Sequence, residues 1–267
     1  MSSTNIPNVL TIAGSDSGGG AGIQADLKVF TSLGVYGTSA ITLLTAQNTL
    51  GIRSVHTPDA SFITQQLEAV FEDIEIHAVK IGALGNASNV KAVTTILSKN
   101  KPSNVIFDPI TMSTSGHALL TEDAIEALKS ELIPLCTLIT PNLLEAAILT
   151  NIGKVKEMKD FAKVLLQLGP QAVLIKGGHL VADDSPDFLL IKGEAEPHKL
   201  NGIRLKSKNT HGSGCTLSAA VAAFLARGLE LKEAVTRAKS YTTVAIANGS
   251  SLNVGKGVGP LNHVYKA

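Results

Sequence analysis

Ten residues near the C-terminal end carry the densest chemistry in the chain: Asn209-Thr210-His211-Gly212-Ser213-Gly214-Cys215-Thr216-Leu217-Ser218. A polar turn with two glycines runs directly into an unbroken helical pattern over 216–227. Glycines let the backbone bring several N–H groups to one point, and the first turn of a helix adds unpaired N–H groups and a partial positive charge. The combination predicts a site for an anion such as a phosphate, framed by Gly212, Ser213 and Gly214. Cys215 stands at the same helix start, where that field is expected to lower its pKa and favour thiolate. One short stretch therefore offers an anion hole and a general base. A free cysteine is equally at home as a small core residue, so partners elsewhere in the chain must decide between the two readings.

Those partners fall at the ends of apolar runs. Strand-like runs cover 9–14, 36–46, 77–82, 104–109, 138–142 and 172–179, and helical patterns cover 23–33, 58–73, 86–97, 121–132, 160–168, 216–227 and 231–248. Thr121 is the expected N-cap of its helix. The stretch 187–205 reads as a β-hairpin. Alternation of strand and helix along nearly the whole chain predicts an α/β fold, a single domain with a mostly parallel central sheet flanked by helices on both faces. In such sheets ligands bind beyond the carboxyl ends of the strands. Asp16, Gln47, Asp108, Asn142, Glu145 and Lys176 all lie there, so residues scattered along the sequence should gather along one edge. Lys80, inside an apolar run, is expected to pair with an acid or to line a site.

The loop Ser15-Asp16-Ser17-Gly18-Gly19-Gly20-Ala21-Gly22 invites nucleotide readings and fits them poorly. A phosphate-binding loop of the Walker type needs a terminal Gly-Lys-Ser/Thr, which is absent. A dinucleotide fingerprint needs an acidic residue about 20 positions on, and no Asp or Glu occurs between Leu27 and Pro58. The loop is better read as a backbone wall that comes close to a small ligand.

Composition bounds the partners. The 267 residues are 44% hydrophobic, enough for a large core, and 23 basic residues against 22 acidic leave a net charge of +1. That balance gives no electrostatic case for nucleic acid or an anionic membrane. Only Cys136 and Cys215 are present, which argues against a disulfide framework or a structural zinc site. The polar N-terminus and the lack of a long apolar stretch lead to the expectation of a cytoplasmic protein.

An anion hole with a base, carboxylate and amide oxygens, and lysines is a kit for phosphoryl transfer, where positioning and charge neutralisation do most of the catalysis. The stretches AGSDSGGGAGIQADLK (13–28), TAQNT (45–49), KIG (80–82), DP (108–109), TPNLLEA (140–146), KGGH (176–179) and HGSGCTLSAA (211–220) resemble the hydroxymethylpyrimidine/phosphomethylpyrimidine kinases of thiamine biosynthesis, in the ribokinase-like superfamily. The resemblance implies a ribokinase-like three-layer αβα domain of about eight strands, often a homodimer. It further implies ATP and Mg²⁺ as cosubstrate and cofactor and a small pyrimidine as acceptor. Carried onto this chain, it makes Cys215 the base and Gly212, Ser213 and Gly214 the anion hole. Gln47 reads the aminopyrimidine edge, and Gly14, Ala21 and Asp26 lie by the substrate ring or its loop. Lys176, Lys239 and the glycine-rich tail 255–260 face ATP. Asp108, Asn142 and Glu145 belong to the Mg²⁺–phosphate side. Two positions depart from the family pattern. Ala83 follows KIG where Met is common, and Ile110-Thr111 follow DP where Val-Met is common. Smaller, more polar walls could admit a larger ring, so pyridoxal kinase activity is the near alternative. A cysteine hydrolase using His211, and a pyrimidine-binding protein without catalysis, are the remoter ones.

Overall fold

A computed structural model describes residues 6–111, 120–153, 157–178, 186–202 and 204–264. The apolar runs form strands because residues buried on both faces of a parallel sheet need no polar alternation. Strands β1 (Asn8–Asp16), β2 (Tyr36–Asn48), β3 (Gly51–His56), β4 (Ala78–Ile81), β5 (Val105–Phe107), β6 (Leu138–Ile139), β7 (Ala172–Ile175), β8 (Asp187–Ile191) and β9 (His198–Leu200) make one sheet in the order β3-β2-β1-β4-β5-β6-β7-β8-β9. The six strands from β2 to β7 are parallel, and β3, β8 and β9 are antiparallel at the two edges. Helices α1 (Gly22–Ser32), α2 (Ala60–Asp73), α3 (Ala87–Asn100), α4 (Glu122–Ala127), α5 (Leu143–Thr150), α6 (Met158–Leu166), α7 (Ser213–Ala226) and α8 (Leu231–Gly249) complete the described elements.

Two apolar layers sandwich the sheet. One joins α2 to α6 through residues such as Ile63, Leu67, Val93, Leu149 and Leu165. The other joins α1, α7 and α8 through Phe30, Val221, Phe224 and Val235. Helix α7 is buried all round, from Cys215 to Ala226, because it lies between the sheet and its neighbours α1 and α8. Its run of alanines lets these elements approach closely. The chain runs outward from β1 to β3 and then returns to β4 on the other side of β1, which opens a crevice at the carboxyl ends of β1 and β4.

Several element boundaries differ from the sequence reading. Regular β6 ends at Ile139, although Thr140 N still donates to Phe107 O and Asn142 keeps an isolated parallel bridge to Lys176 while its side chain caps α5. The predicted helix 121–132 is regular only over α4 and then widens into a π-type turn over Leu128–Leu132. Thr121 precedes it in extended conformation without a side-chain capping bond. The glycine-rich tail straps the β2–β3 turn: Gly257 N donates to Thr49 Oγ1 at 3.2 Å and Val258 N to Thr49 O at 3.1 Å. His179 lies outside the described residues.

Lys80 has its acid. Thr11 and Lys80 are register partners on β1 and β4, so both side chains point to the face covered by α1. There Asp26 Oδ2 accepts from Lys80 Nζ at 2.8 Å and from Thr11 Oγ1 at 2.6 Å, with both ionic side chains fully buried. Burial works against the ammonium, but Asp26 more than reverses this and holds the Lys80 pKa above its ordinary value. Removing one partner of a buried pair leaves an uncompensated charge, at about 3–5 kcal/mol, whereas an apolar replacement of both is far milder. Asp26→Ala is therefore expected to lower unfolding free energy by that amount in urea titration. The double variant Asp26→Leu/Lys80→Met should recover most of the loss; equal loss in both would refute this account.

Candidate active site

A cavity of about 710 Å³ opens at the carboxyl ends of the parallel strands, where the strand-end polar residues were expected to meet. Asp16, Gln47, Asp108, Asn142, Glu145 and Lys176 all line it, together with the 212–215 turn. Each reaches it for a local reason. The β1–β2 register shifts between Ala13 and Ser15, where β2 carries the extra residue between Ile41 and Leu44, a bulge that re-aims the strand ends. Gln47 is held through its backbone, since Ser17 Oγ donates to its carbonyl and accepts from its N–H, both at 2.8 Å. Asp108 directly follows β5 and Lys176 directly follows β7.

The 212–215 turn has the geometry of an anion hole. Gly212 is the N-cap of α7 with φ +87°, left-handed backbone that glycine alone adopts at low cost. Any Cβ there would also collide with the Gly20 carbonyl. Ser213 N donates to Thr210 O and Thr216 N to Gly212 O. The N–H groups of Gly214 and Cys215 find no acceptor among the described residues, which is what an incoming anion would use. A Cβ on Gly214 would sit 3.3 Å from both Asp108 Oδ2 and Lys176 Nζ, so this turn and the lysine share one corner of the cavity.

The charged groups form two clusters. Lys176 Nζ lies 2.6 Å from Asp108 Oδ1 and 3.7 Å from Glu145 Oε2. Burial alone would lower the Lys176 pKa, but these carboxylates raise it, and the ammonium stays protonated. Burial pushes Glu145 up to about 7 against the pull of Lys176. Asn142 and Glu145 close a reciprocal capping box at the start of α5, with bonds of 2.9 and 2.7 Å. In the second cluster Lys239 Nζ lies 2.6 Å from Asp187 Oδ2, and Asp187 Oδ1 accepts from Gly177 N at 2.9 Å. Sequence reasoning passed over Asp187, whose acid sits at the start of a strand rather than at its end.

Cys215 is 5% exposed, and its state differs from the sequence expectation. Burial pushes the thiol up to about 11, against the opposing pull of Lys80 and a bond from the Gly22 backbone. The helix-start field was expected to give a thiolate; desolvation outweighs it. Asp26 is also displaced from its expected place. It does not line the cavity but holds Lys80, and its charge opposes ionisation of the nearby Cys215 thiol while Lys80 favours it. Gly14, Ala21, Ala83 and Ile110 do line the cavity, as does Thr111. The glycine loop does more than wall a ligand. A Cβ on Gly20 would run into the His211 ring, so the loop's close approach there is to the protein itself. His211 Nε2 engages Asp16 at 2.8 Å and is not bonded to the thiol, which removes the geometric basis for a cysteine–histidine hydrolase. The tail 255–260 does not line the cavity.

The family model described as phosphomethylpyrimidine kinase matches residues 16–262. The hydroxymethylpyrimidine/phosphomethylpyrimidine kinase of Rhizobium meliloti is 46% identical, with 96% of this chain and 97% of that protein covered. The thiamine biosynthesis bifunctional protein ThiED of Geobacter sulfurreducens is 47% identical over 97% of this chain, which spans only 53% of that longer protein. The crystal structure of an ADP complex of Bacillus subtilis pyridoxal kinase superposes with a TM-score of 0.89 at 36% identity, covering 97% of this chain and 98% of that one.

A raised thiol pKa sets an expectation for reactivity, since only the thiolate is alkylated. The iodoacetamide rate at Cys215, followed by peptide mapping, should climb roughly tenfold per pH unit from about 7 to 10. A plateau beginning near pH 7 would mean a preformed thiolate and would contradict the desolvated site.

Proposed function

This chain belongs to the phosphomethylpyrimidine kinase family, and on that footing we propose that it phosphorylates the hydroxymethyl group of 4-amino-5-hydroxymethyl-2-methylpyrimidine with ATP, and then the monophosphate so formed, in thiamine biosynthesis. The observation that carries this reading is the placing of Cys215 and the open N–H groups of the 212–215 turn in one cavity with Gln47 and Lys176. In this reading Gln47 reads the aminopyrimidine edge, with Gly14, Ala21, Ala83 and Ile110 around the ring. The Gly212–Gly214 turn receives the transferring phosphoryl group and offsets its developing charge. Lys176 adds positive charge on the same corner, and Lys239, tied to Asp187, supports the nucleotide side.

Cys215 takes the proton of the attacking hydroxyl. Its high pKa makes the thiolate scarce at neutral pH but a stronger base once formed. Lys80, buried behind it, favours the charged form electrostatically. Mg²⁺ commonly binds through one or two carboxylates, waters and substrate phosphates. Asp108 and Glu145, which both face the cavity, fit that donor set. Asn142 fits it less well, because its Oδ1 is taken by the α5 cap. Bound there, the ion would supply charge neutralisation at the phosphates. A homodimer belongs to the same proposal, supported by the exposed apolar residues Tyr36, Leu44 and Val55 along the β2–β3 edge.

Cys215→Ala is expected to cut kcat/KM for the hydroxymethylpyrimidine by about 10²–10⁴-fold, the usual worth of a general base. Because the base must be deprotonated, wild-type kcat/KM should rise with pH into the alkaline range, and Cys215→Asp should move that rise to acid pH. Near-normal turnover by Cys215→Ala would remove the base assignment. The small side chains Ala83 and Thr111 favour a second reading, pyridoxal phosphorylation. With both substrates competing for one ATP pool, preferential turnover of pyridoxal would replace the first reading with the second.

A further inference from the structure

Three side chains from distant parts of the chain meet at one edge of the cavity. His211 Nε2 lies 2.8 Å from Asp16 Oδ2 and 3.2 Å from the side-chain amide of Gln47. On its other side that amide lies 3.1 Å from Thr45 Oγ1. All four residues line the cavity. The two ends of a glutamine amide have nearly equal shape, and which end is oxygen must be settled from the hydrogen-bonding partners.

The partners leave one solution. Asp16 accepts Gly18 N on Oδ1, and Gly20 N and Ala21 N on Oδ2, at 2.8, 3.1 and 2.9 Å. A carboxyl group collecting three N–H donors is an ionised acceptor. The His211 nitrogen against it must therefore carry a hydrogen. That one hydrogen points mainly to Asp16, the nearer partner, and is shared with Gln47; an N–H repels an NH₂ end and attracts a carbonyl, so the end beside His211 is the amide oxygen. Thr45 has a single hydroxyl hydrogen, and it is committed to Ser15 O at 2.9 Å. Toward Gln47 the threonine can only accept, so the end beside Thr45 is the NH₂. In the structure the amide has Nε2 beside His211 and Oε1 beside Thr45; both neighbours favour the reverse, oxygen toward His211 and nitrogen toward Thr45.

We propose that Asp16 and His211 are positioning residues that lock the amide order of Gln47 and so decide which way a bound pyrimidine points its hydroxymethyl group. This rests on the reading that Gln47 binds the aminopyrimidine edge. Along that edge the order is ring N3, an acceptor, then the C4 amino group, a donor, then the C5 hydroxymethyl. The NH₂ of Gln47 pairs with N3 and its oxygen with the amino group. The direction from N3 to C5 then runs from Thr45 toward His211, and the hydroxymethyl is carried toward the 212–215 turn and Cys215. The opposite amide order would carry it toward Thr45, away from the thiol. Gly20 has no side chain because the His211 ring occupies that space, so the same contact that locks the amide also joins the loop to the turn.

The test uses a substrate with the edge reversed. In 5-hydroxymethyl-2-methylpyrimidin-4(3H)-one, N3–H is a donor and the C4 oxygen an acceptor. A locked amide rejects it, and wild type should prefer the amino compound by about 10²-fold or more in kcat/KM. His211→Phe removes the N–H while keeping a planar ring, frees the amide to turn, and should bring that preference to within about tenfold of unity. A merely structural role would lower both rates and leave the ratio intact, and that result overturns the proposal. Gln47→Ala separates the two layers: an unchanged ratio in this variant refutes the Gln47 reading itself. If His211→Phe does not fold, the wild-type protein labelled with ¹⁵N-glutamine answers by NMR. Gln47 NH₂ protons close to Thr45 support the lock, and NH₂ protons close to the His211 ring overturn it.

Discussion

The Asp16 carboxylate is the point on which the site depends. It lies at the end of β1, where an open strand terminus meets a loop of glycines with several unpaired N–H groups. Its two oxygens take three of them, and one oxygen also takes His211 from 195 positions further along the chain. Burial raises the pKa of such a group, but His211 and the backbone donors more than compensate, and Asp16 stays ionised below its ordinary value. One charged acceptor thus sets the shape of the first loop and fixes the turn that begins α7. Charge-assisted bonds of this kind are stronger than neutral ones. Here they bring together the two segments between which the pyrimidine and the phosphoryl group are proposed to meet.

Beneath and beside this junction the charges are arranged in pairs, because a lone charge could not be kept there. Lys80 is tied to Asp26, which also accepts from Thr11, Lys176 to Asp108, and Lys239 to Asp187. Pairing holds the Lys80 and Lys176 ammonium groups in their charged form despite their burial. The resulting site is dry enough to hold the Cys215 thiol neutral at rest, yet Lys80 remains near enough to ease its ionisation. Low polarity and a nearby buried cation act on the thiol in opposite directions, and burial has the larger effect.

Much of the architecture was legible from pattern alone. Apolar runs of strand length alternating with helical periodicity led to a mostly parallel sheet with helices on both faces, and the edge hairpin over 187–205 followed from its glycine breaks. Asn142 ends the 138–142 run through an isolated parallel bridge to Lys176, and with Glu145 three residues on its side chain also makes the capping box of α5. The site residues were legible as strand-end polar groups because topology sends all parallel strand ends to one edge. Asp187 and Thr45 escaped notice, one because it begins its strand and the other because it reads as an ordinary strand threonine.

What the sequence determined by itself is local chemistry: a glycine turn that opens helix N–H groups, a cysteine at the first turn, an amide and acids that end apolar runs, and a charge balance unsuited to nucleic acid. These follow from residue type and short spacing. Only the tertiary structure decided which of these groups face one another. It buried Asp26 against Lys80 and not in the cavity lining, and it raised the Cys215 pKa where the helix field alone would have lowered it. It also set His211 against Asp16 and Gln47 instead of against the thiol. The reason is physical: desolvation and hydrogen-bond partnership depend on atoms brought together from far along the chain, and no spacing within one segment encodes them.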